Sequence, residues 1–172
     1  EPYYLTNSRD NSKLDNLLKN YLKNKSNSRG IFLELPELEL IDIKAVANIA
    51  KSVGALTVVD NVFTTPIFSN ALSLGADVVV YSATKHIDGQ GRTLGGVILG
   101  SEDYIRNTVE PFMKHTGGSM SPFTGWVLLK GLETLDLRVQ AQSDSALEIA
   151  KSLIGHESIS SVIYPGLETH PQ

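Results

Sequence analysis

Two consecutive apolar runs of this chain end in groups that could react. Asp60 closes Ala55-Leu56-Thr57-Val58-Val59, and Tyr81-Ser82-Ala83-Thr84-Lys85-His86 closes the next run. Taken alone, Lys85 reads as a solvated lysine at a strand end, and Asp60 as a helix cap or turn former. Ser82 and Thr84 alternate in direction with Ala83, so extended backbone aims both hydroxyls to one side, toward a phosphate. The ordered combination is more specific than its parts. Pyridoxal 5'-phosphate (PLP) chemistry needs an amine for a Schiff base, a carboxylate for the pyridinium nitrogen and donors for the phosphate. Lys85, Asp60, Ser82 and Thr84 supply one of each kind, with a hydroxyl to spare.

Groups at strand ends need a sheet to hold them. Ile31–Leu35, Leu56–Val59, Asp77–Tyr81 and Val97–Leu99 read as strands, apolar throughout, which predicts burial on both faces. Helices between them point to an α/β fold with a largely parallel sheet, where function collects at the carboxyl ends of strands. Ser12 precedes an apolar face at Leu14, Leu17, Leu18, Tyr21 and Leu22, and residues 26–30 read as a loop. Asp42 is placed to cap a helix burying Ile43, Val46, Ala47, Ile49, Ala50 and Val53, with Gly54 at its end. Thr65-Pro66 opens a turn or short helix. Ser121-Pro122 starts a helical C-terminal third, with a bend expected near Gly131. Val162-Ile163-Tyr164 reads as a further strand.

The glycine-rich stretch 89–96 has the look of a phosphate cradle. It precedes a strand, however, so the dinucleotide and P-loop readings lack their strand-to-helix context. His86, His115, His156 and His170 are scattered without metal-ligand spacing, and no metal site is expected. There is no cysteine, which removes disulfides and thiolate catalysis. With 41% hydrophobic and 20% charged residues, the 172-residue chain has the composition of a globular domain. Its 15 basic residues against 19 acidic ones argue against nucleic acid as a partner. No apolar run approaches the roughly 20 residues of a membrane span, and no secretory leader is visible, so a cytoplasmic location is expected.

Three stretches carry a specific resemblance: Val58-Val59-Asp60-Asn61-Val62-Phe63-Thr64-Thr65-Pro66, Gly75 through Lys85, and Ser121-Pro122-Phe123 through Leu135. They resemble the Cys/Met-metabolism (trans-sulfuration) family of PLP enzymes, as do Tyr164-Pro165-Gly166-Leu167 and His170-Pro171-Gln172. Within the family, Asp88-Gly89-Gln90-Gly91-Arg92 is most similar to the O-succinylhomoserine sulfhydrylases. The resemblance implies a fold-type I, aminotransferase-like architecture. Residues 1–140 would be part of the large PLP-binding domain, and residues 141–172 a linking helix and the start of a C-terminal α+β domain. It implies Lys85 as the Schiff-base lysine and acid/base shuttle, Asp60 on the pyridinium nitrogen, and Ser82 and Thr84 on the phosphate. It also implies a homotetramer of two dimers whose active sites borrow neighbouring residues. The expected reaction forms homocysteine and succinate from O-succinylhomoserine and sulfide. Cystathionine γ-synthase, methionine γ-lyase and cystathionine β-lyase chemistry are the rivals within the family, and a truncated non-catalytic fragment is the rival outside it.

Departures from the family pattern are equally definite. Glu34-Leu35-Pro36 runs into Glu37-Leu38-Glu39-Leu40-Ile41-Asp42 without the usual Ser/Thr-Asn-Pro element. The Gly-Met phosphate loop, the ring-stacking tyrosine, the neighbour-contributed Tyr/Arg pair and the late carboxylate-binding arginine are missing too. These gaps predict that the chain is a set of ordered pieces of a longer protein, joined across active-site segments that are mobile without PLP. Mass spectrometry checks this: an intact mass near 18.7 kDa would contradict it.

Overall fold

The computed structural model describes residues 30–34 and 40–170. The helix expected behind Ser12, the loop before Gly30, the junction at residues 35–39 and the terminal Pro171-Gln172 lie outside the described residues. Four strands form one sheet in the order β1 (Gly30–Glu34), β2 (Leu56–Asp60), β3 (Val78–Ser82) and β4 (Gly96–Gly100). The first three are parallel, with Glu34 opposite Asp60 and Asp60 opposite Val80. β4 returns antiparallel to β3, pairing Ser82 with Gly96.

Local chemistry sets the crossover between β1 and β2. The Asp42 carboxylate accepts a hydrogen bond from the Ala45 N–H at 2.9 Å, so α1 (Ile43–Ser52) begins where its first amides need an acceptor. Gly54 follows at φ +70°, a left-handed conformation that ends the helix cheaply. Ile43, Val46 and Ala50 from α1 meet Ala55, Val59, Ala71, Ala76 and Val79 in the main core. Val53, expected on the buried face, is instead exposed, because the helix ends at Ser52 and Val53 is its cap.

Asp77 lies just before β3 and is not its first residue. Its carboxylate accepts from the Thr57 N–H at 2.8 Å, and its own N–H donates to the Thr57 carbonyl at 3.0 Å. That exchange fixes where β3 starts beside β2. β4 corrects the expectation of two-sided burial: Ile98 and Leu99 are exposed, since β4 ends the described sheet and has one neighbour.

The short α2 (Thr65–Phe68) follows β2, and after β4 come α3 (Glu102–Tyr104), a π turn (Ile105–Val109) and α4 (Glu110–Thr116), opened by Ser101, whose hydroxyl accepts from Tyr104 N–H at 3.2 Å. α5 (Pro122–Leu132) is capped by Ser121, and α6 (Leu135–Leu153) follows a short break after Gly131. α6 runs without interruption through residues 140 and 141. Residues 162–164 form no strand. No described strand flanks them, and the Tyr164 hydroxyl instead donates to the Ser143 carbonyl of α6 at 3.5 Å.

Val59 is fully buried between α1 and the Ala71–Ala76 segment, on the strand that ends in Asp60. Val59→Ala is expected to lower unfolding free energy by roughly 2 kcal/mol, as a change that deletes two buried methyl groups and leaves a void. Urea denaturation checks it; a loss below about 0.5 kcal/mol would mean that the core collapses around the deletion.

Candidate active site

The parallel pairing of β2 with β3 places Asp60 and Ser82 at one edge, on strands about 4.8 Å apart. Asp60 is half-buried, and its Oδ1 accepts from the Val62 N–H at 3.1 Å, which fixes the carboxylate plane. The next residue, Asn61, is fully buried. Its Nδ2 lies 3.2 Å from the Thr65 carbonyl, 2.9 Å from the Ser69 carbonyl and 2.9 Å from the Tyr81 hydroxyl. Its Oδ1 accepts from the Thr64 hydroxyl. Asn61 thus ties the loop after Asp60 to β3 and holds Thr65 at φ +56°, a left-handed conformation costly for a β-branched residue.

At the end of β3 the chain turns sharply. Ala83–Ile87 form a π turn closed by the Asp88 N–H donating to the Ala83 carbonyl at 2.8 Å. Lys85 interrupts it with φ −84° and ψ −113°, and its side chain is exposed. Its carbonyl accepts from the Gly89 N–H at 2.7 Å. Ser82 is half-buried, and its hydroxyl makes no capping bond to the turn. The Thr84 hydroxyl accepts from the Gly95 N–H at 3.1 Å and donates to the Gly95 carbonyl at 3.4 Å. Extended alternation therefore stops at Ser82, and Thr84 sits in the turn, stitched to the chain that enters β4.

Sequence reasoning assigned no role to the groups that hold this turn. Asp88 is buried and accepts from the Arg92 N–H at 2.6 Å, the Arg92 Nε at 2.9 Å and the Gln90 N–H at 3.3 Å. Burial alone would raise its carboxyl, but these hydrogen bonds and the Arg92 charge outweigh burial and hold it below the ordinary carboxylate range. Arg138 of α6 donates to the His86 carbonyl at 2.9 Å and the Gly131 carbonyl at 2.8 Å. Burial first, and then the Arg138 charge, lowers the His86 pKa, against a raising hydrogen bond with Gln142. Gly131 explains the close packing of α5: a Cβ there would fall on the Ile87 carbonyl oxygen. The glycine expected to mark a bend is required by this approach, and the break follows it.

This donor set fits PLP. The Asp60 carboxylate keeps one oxygen unbonded to described residues, the Ser82 hydroxyl is not used by the turn, and the Lys85 amine is accessible. The Thr84 hydroxyl has one long bond to exchange for a phosphate oxygen.

Because the folded state lowers the Asp88 pKa, its contribution to stability is complete above the ordinary carboxylate range and is lost as pH falls through and below it. Melting temperature against pH is expected to drop on the acid side, and Asp88→Asn to flatten that drop while lowering the plateau. An unchanged acid branch in the variant would remove Asp88 from the account.

The family model of the Cys/Met metabolism PLP-dependent enzymes matches residues 5–172. An O-succinylhomoserine sulfhydrylase of Mycobacterium tuberculosis is 53% identical over 148 residues, covering 84% of this chain and 36% of that protein. The O-succinylhomoserine sulfhydrylase of Pseudomonas aeruginosa is 49% identical over 151 residues, covering 86% of this chain and 37% of that protein. A crystal structure of cystathionine γ-lyase from Lactobacillus plantarum, complexed with L-serine, superposes with a TM-score of 0.85 at 27% identity. It covers 96% of this chain and 43% of that one. The chain thus spans little more than a third of the length of these curated relatives. Its sheet is the fold-type I arrangement of these PLP enzymes, and the chain belongs to the Cys/Met-metabolism family of PLP-dependent enzymes.

Proposed function

We propose that the protein converts O-succinylhomoserine and sulfide to homocysteine and succinate, with Lys85 as the reacting amine. The observation that carries this reading is the exposed Lys85, set in a hydrogen-bonded turn one strand away from the Asp60 carboxylate. The similarity to two O-succinylhomoserine sulfhydrylases at 53% and 49% identity supports the substrate.

PLP, when bound, supplies an electron sink that stabilises negative charge at the substrate Cα. Lys85 would hold the cofactor and, with its amine free, take the Cα proton and return it at the end. Asp60, fixed by the Val62 N–H, would keep a proton on the ring nitrogen. Ser82 and Thr84 would hold the phosphate. Succinate leaves from Cγ with its bonding pair, and sulfide forms the new C–S bond at the same carbon. The exposed Phe123, Trp126 and Leu129 of α5, with the Phe123 and Trp126 rings 6.0 Å apart, are apolar surface of the kind a homotetramer of two dimers would cover. The likeness to cystathionine γ-lyase favours one second reading, elimination without replacement.

With PLP and O-succinylhomoserine, sulfide is expected to yield homocysteine. Cystathionine formed preferentially from cysteine would make the enzyme a γ-synthase, and a 2-oxo acid with ammonia would make it a lyase. No product under any condition would favour a non-catalytic chain. Lys85→Ala is expected to lower turnover at least ~100-fold and leave PLP bound only non-covalently. Normal turnover in that variant would refute the assignment of Lys85.

A further inference from the structure

We propose that Arg138 is a positioning residue for Lys85, fixing from α6 the backbone that aims the lysine amine. The inference rests on the assignment of Lys85 as the reacting amine. The turn is interrupted by the non-helical ψ of −113° at Lys85 and ends at Ile87, so its last carbonyls run out of amides along the chain. The Lys85 carbonyl still accepts from the Gly89 N–H, four residues on, at 2.7 Å. The next two carbonyls are satisfied from outside the turn. The His86 carbonyl accepts from Arg138 Nη1 at 2.9 Å, and the Ile87 carbonyl from Arg138 Nη2 at 3.4 Å.

The remaining donors anchor the guanidinium to its own end of the molecule. Nη2 also donates to the Gly131 carbonyl at 2.8 Å, and Nε to the Thr134 hydroxyl at 3.0 Å. All of these acceptors are neutral, so the planar fork acts here as a geometric clamp. An ammonium could not reproduce it, being a point charge on a flexible stem. Space has been cleared for the clamp at two glycines. A Cβ at Gly89 would fall on the Arg138 guanidinium, and one at Gly131 on the Ile87 carbonyl oxygen. The turn carrying Lys85 is therefore held between β3 and the α5–α6 junction.

A positioning role differs measurably from a merely structural one. In the full-length protein freed of PLP, PLP is added back and samples are quenched with borohydride over time. Peptide mass spectrometry then counts pyridoxyl-Lys85. Arg138→Ala and Arg138→Lys are each expected to slow attachment roughly tenfold or more, since small misplacements of a reacting group carry large rate costs. PLP affinity is expected to stay within about threefold between Lys85→Ala and the double variant Lys85→Ala/Arg138→Lys, because the pocket itself is intact.

Attachment in Arg138→Lys at the unaltered rate would overturn the proposal. So would attachment and non-covalent affinity falling together, which is the result of a general loss of structure. If Arg138→Ala does not fold, Arg138→Lys carries the test. Failure to form homocysteine while Lys85 still takes up PLP would sink the reaction assignment and leave the clamp to be decided by the attachment rates. PLP attached at another lysine would sink both.

Discussion

Parallel pairing of β2 with β3, Asp60 opposite Val80, is the constraint on which the site depends. Two parallel strands bring their carboxyl ends to the same edge, so the carboxylate that ends β2 and the turn that follows β3 become neighbours. The pairing is in turn set by Asp77, whose carboxylate and amide engage both polar groups of the Thr57 backbone. A shift of register by one residue would exchange the buried Val59 and the half-buried Asp60 between faces. The core and the chemistry are therefore specified by the same ladder.

Two enclosed polar side chains at the carboxyl edge of the sheet, Asn61 and Asp88, are hydrogen-bonded, whereas the buried Thr57 hydroxyl further back in β2 has no partner among the described residues. Asn61, enclosed completely, spends its amide on the backbone of Thr65 and Ser69 and on the side chains of Thr64 and Tyr81. Asp88, also enclosed, spends its carboxylate on Arg92 and the amide of Gln90. Unpaired, such groups would be strongly destabilising; paired, they give the loops after β2 and β3 one defined shape. This explains how irregular segments hold Asp60 and the proposed reacting Lys85 steadily. The turn around Lys85 owes its form to contacts that close on it from β4, from α5 and from α6.

Much of this was legible in the sequence wherever the controlling interaction is local. The Asp42 cap, the stop at Gly54 and the ends of β2 and β3 were read within a residue or so because each is decided by neighbours in the chain. Asp60, Ser82, Thr84 and Lys85 stand out in the sequence because they follow two apolar runs, although Thr84 and Lys85 lie in the turn after β3 and not on extended backbone. The helices after Ser101 were overlooked, although a serine followed by two acidic residues is a start signal that could have been used. Residues 162–164 look like a strand by apolar content, but strand formation depends on a partner that sequence pattern does not reveal. Arg138 was invisible for a similar reason: the His86 carbonyl it holds is 52 residues away. Gly131, read as a bend, was the one hint that a backbone comes close there.

The central claim is that Lys85 and Asp60 address the same cofactor from the ends of adjacent strands. A crystal structure of the full-length protein with PLP tests it most directly. The account predicts continuous density from Lys85 Nζ to the cofactor, with an Asp60 carboxylate oxygen about 2.7–3.0 Å from the pyridine nitrogen. Cofactor density joined to another lysine, or a ring nitrogen facing away from Asp60, would contradict it.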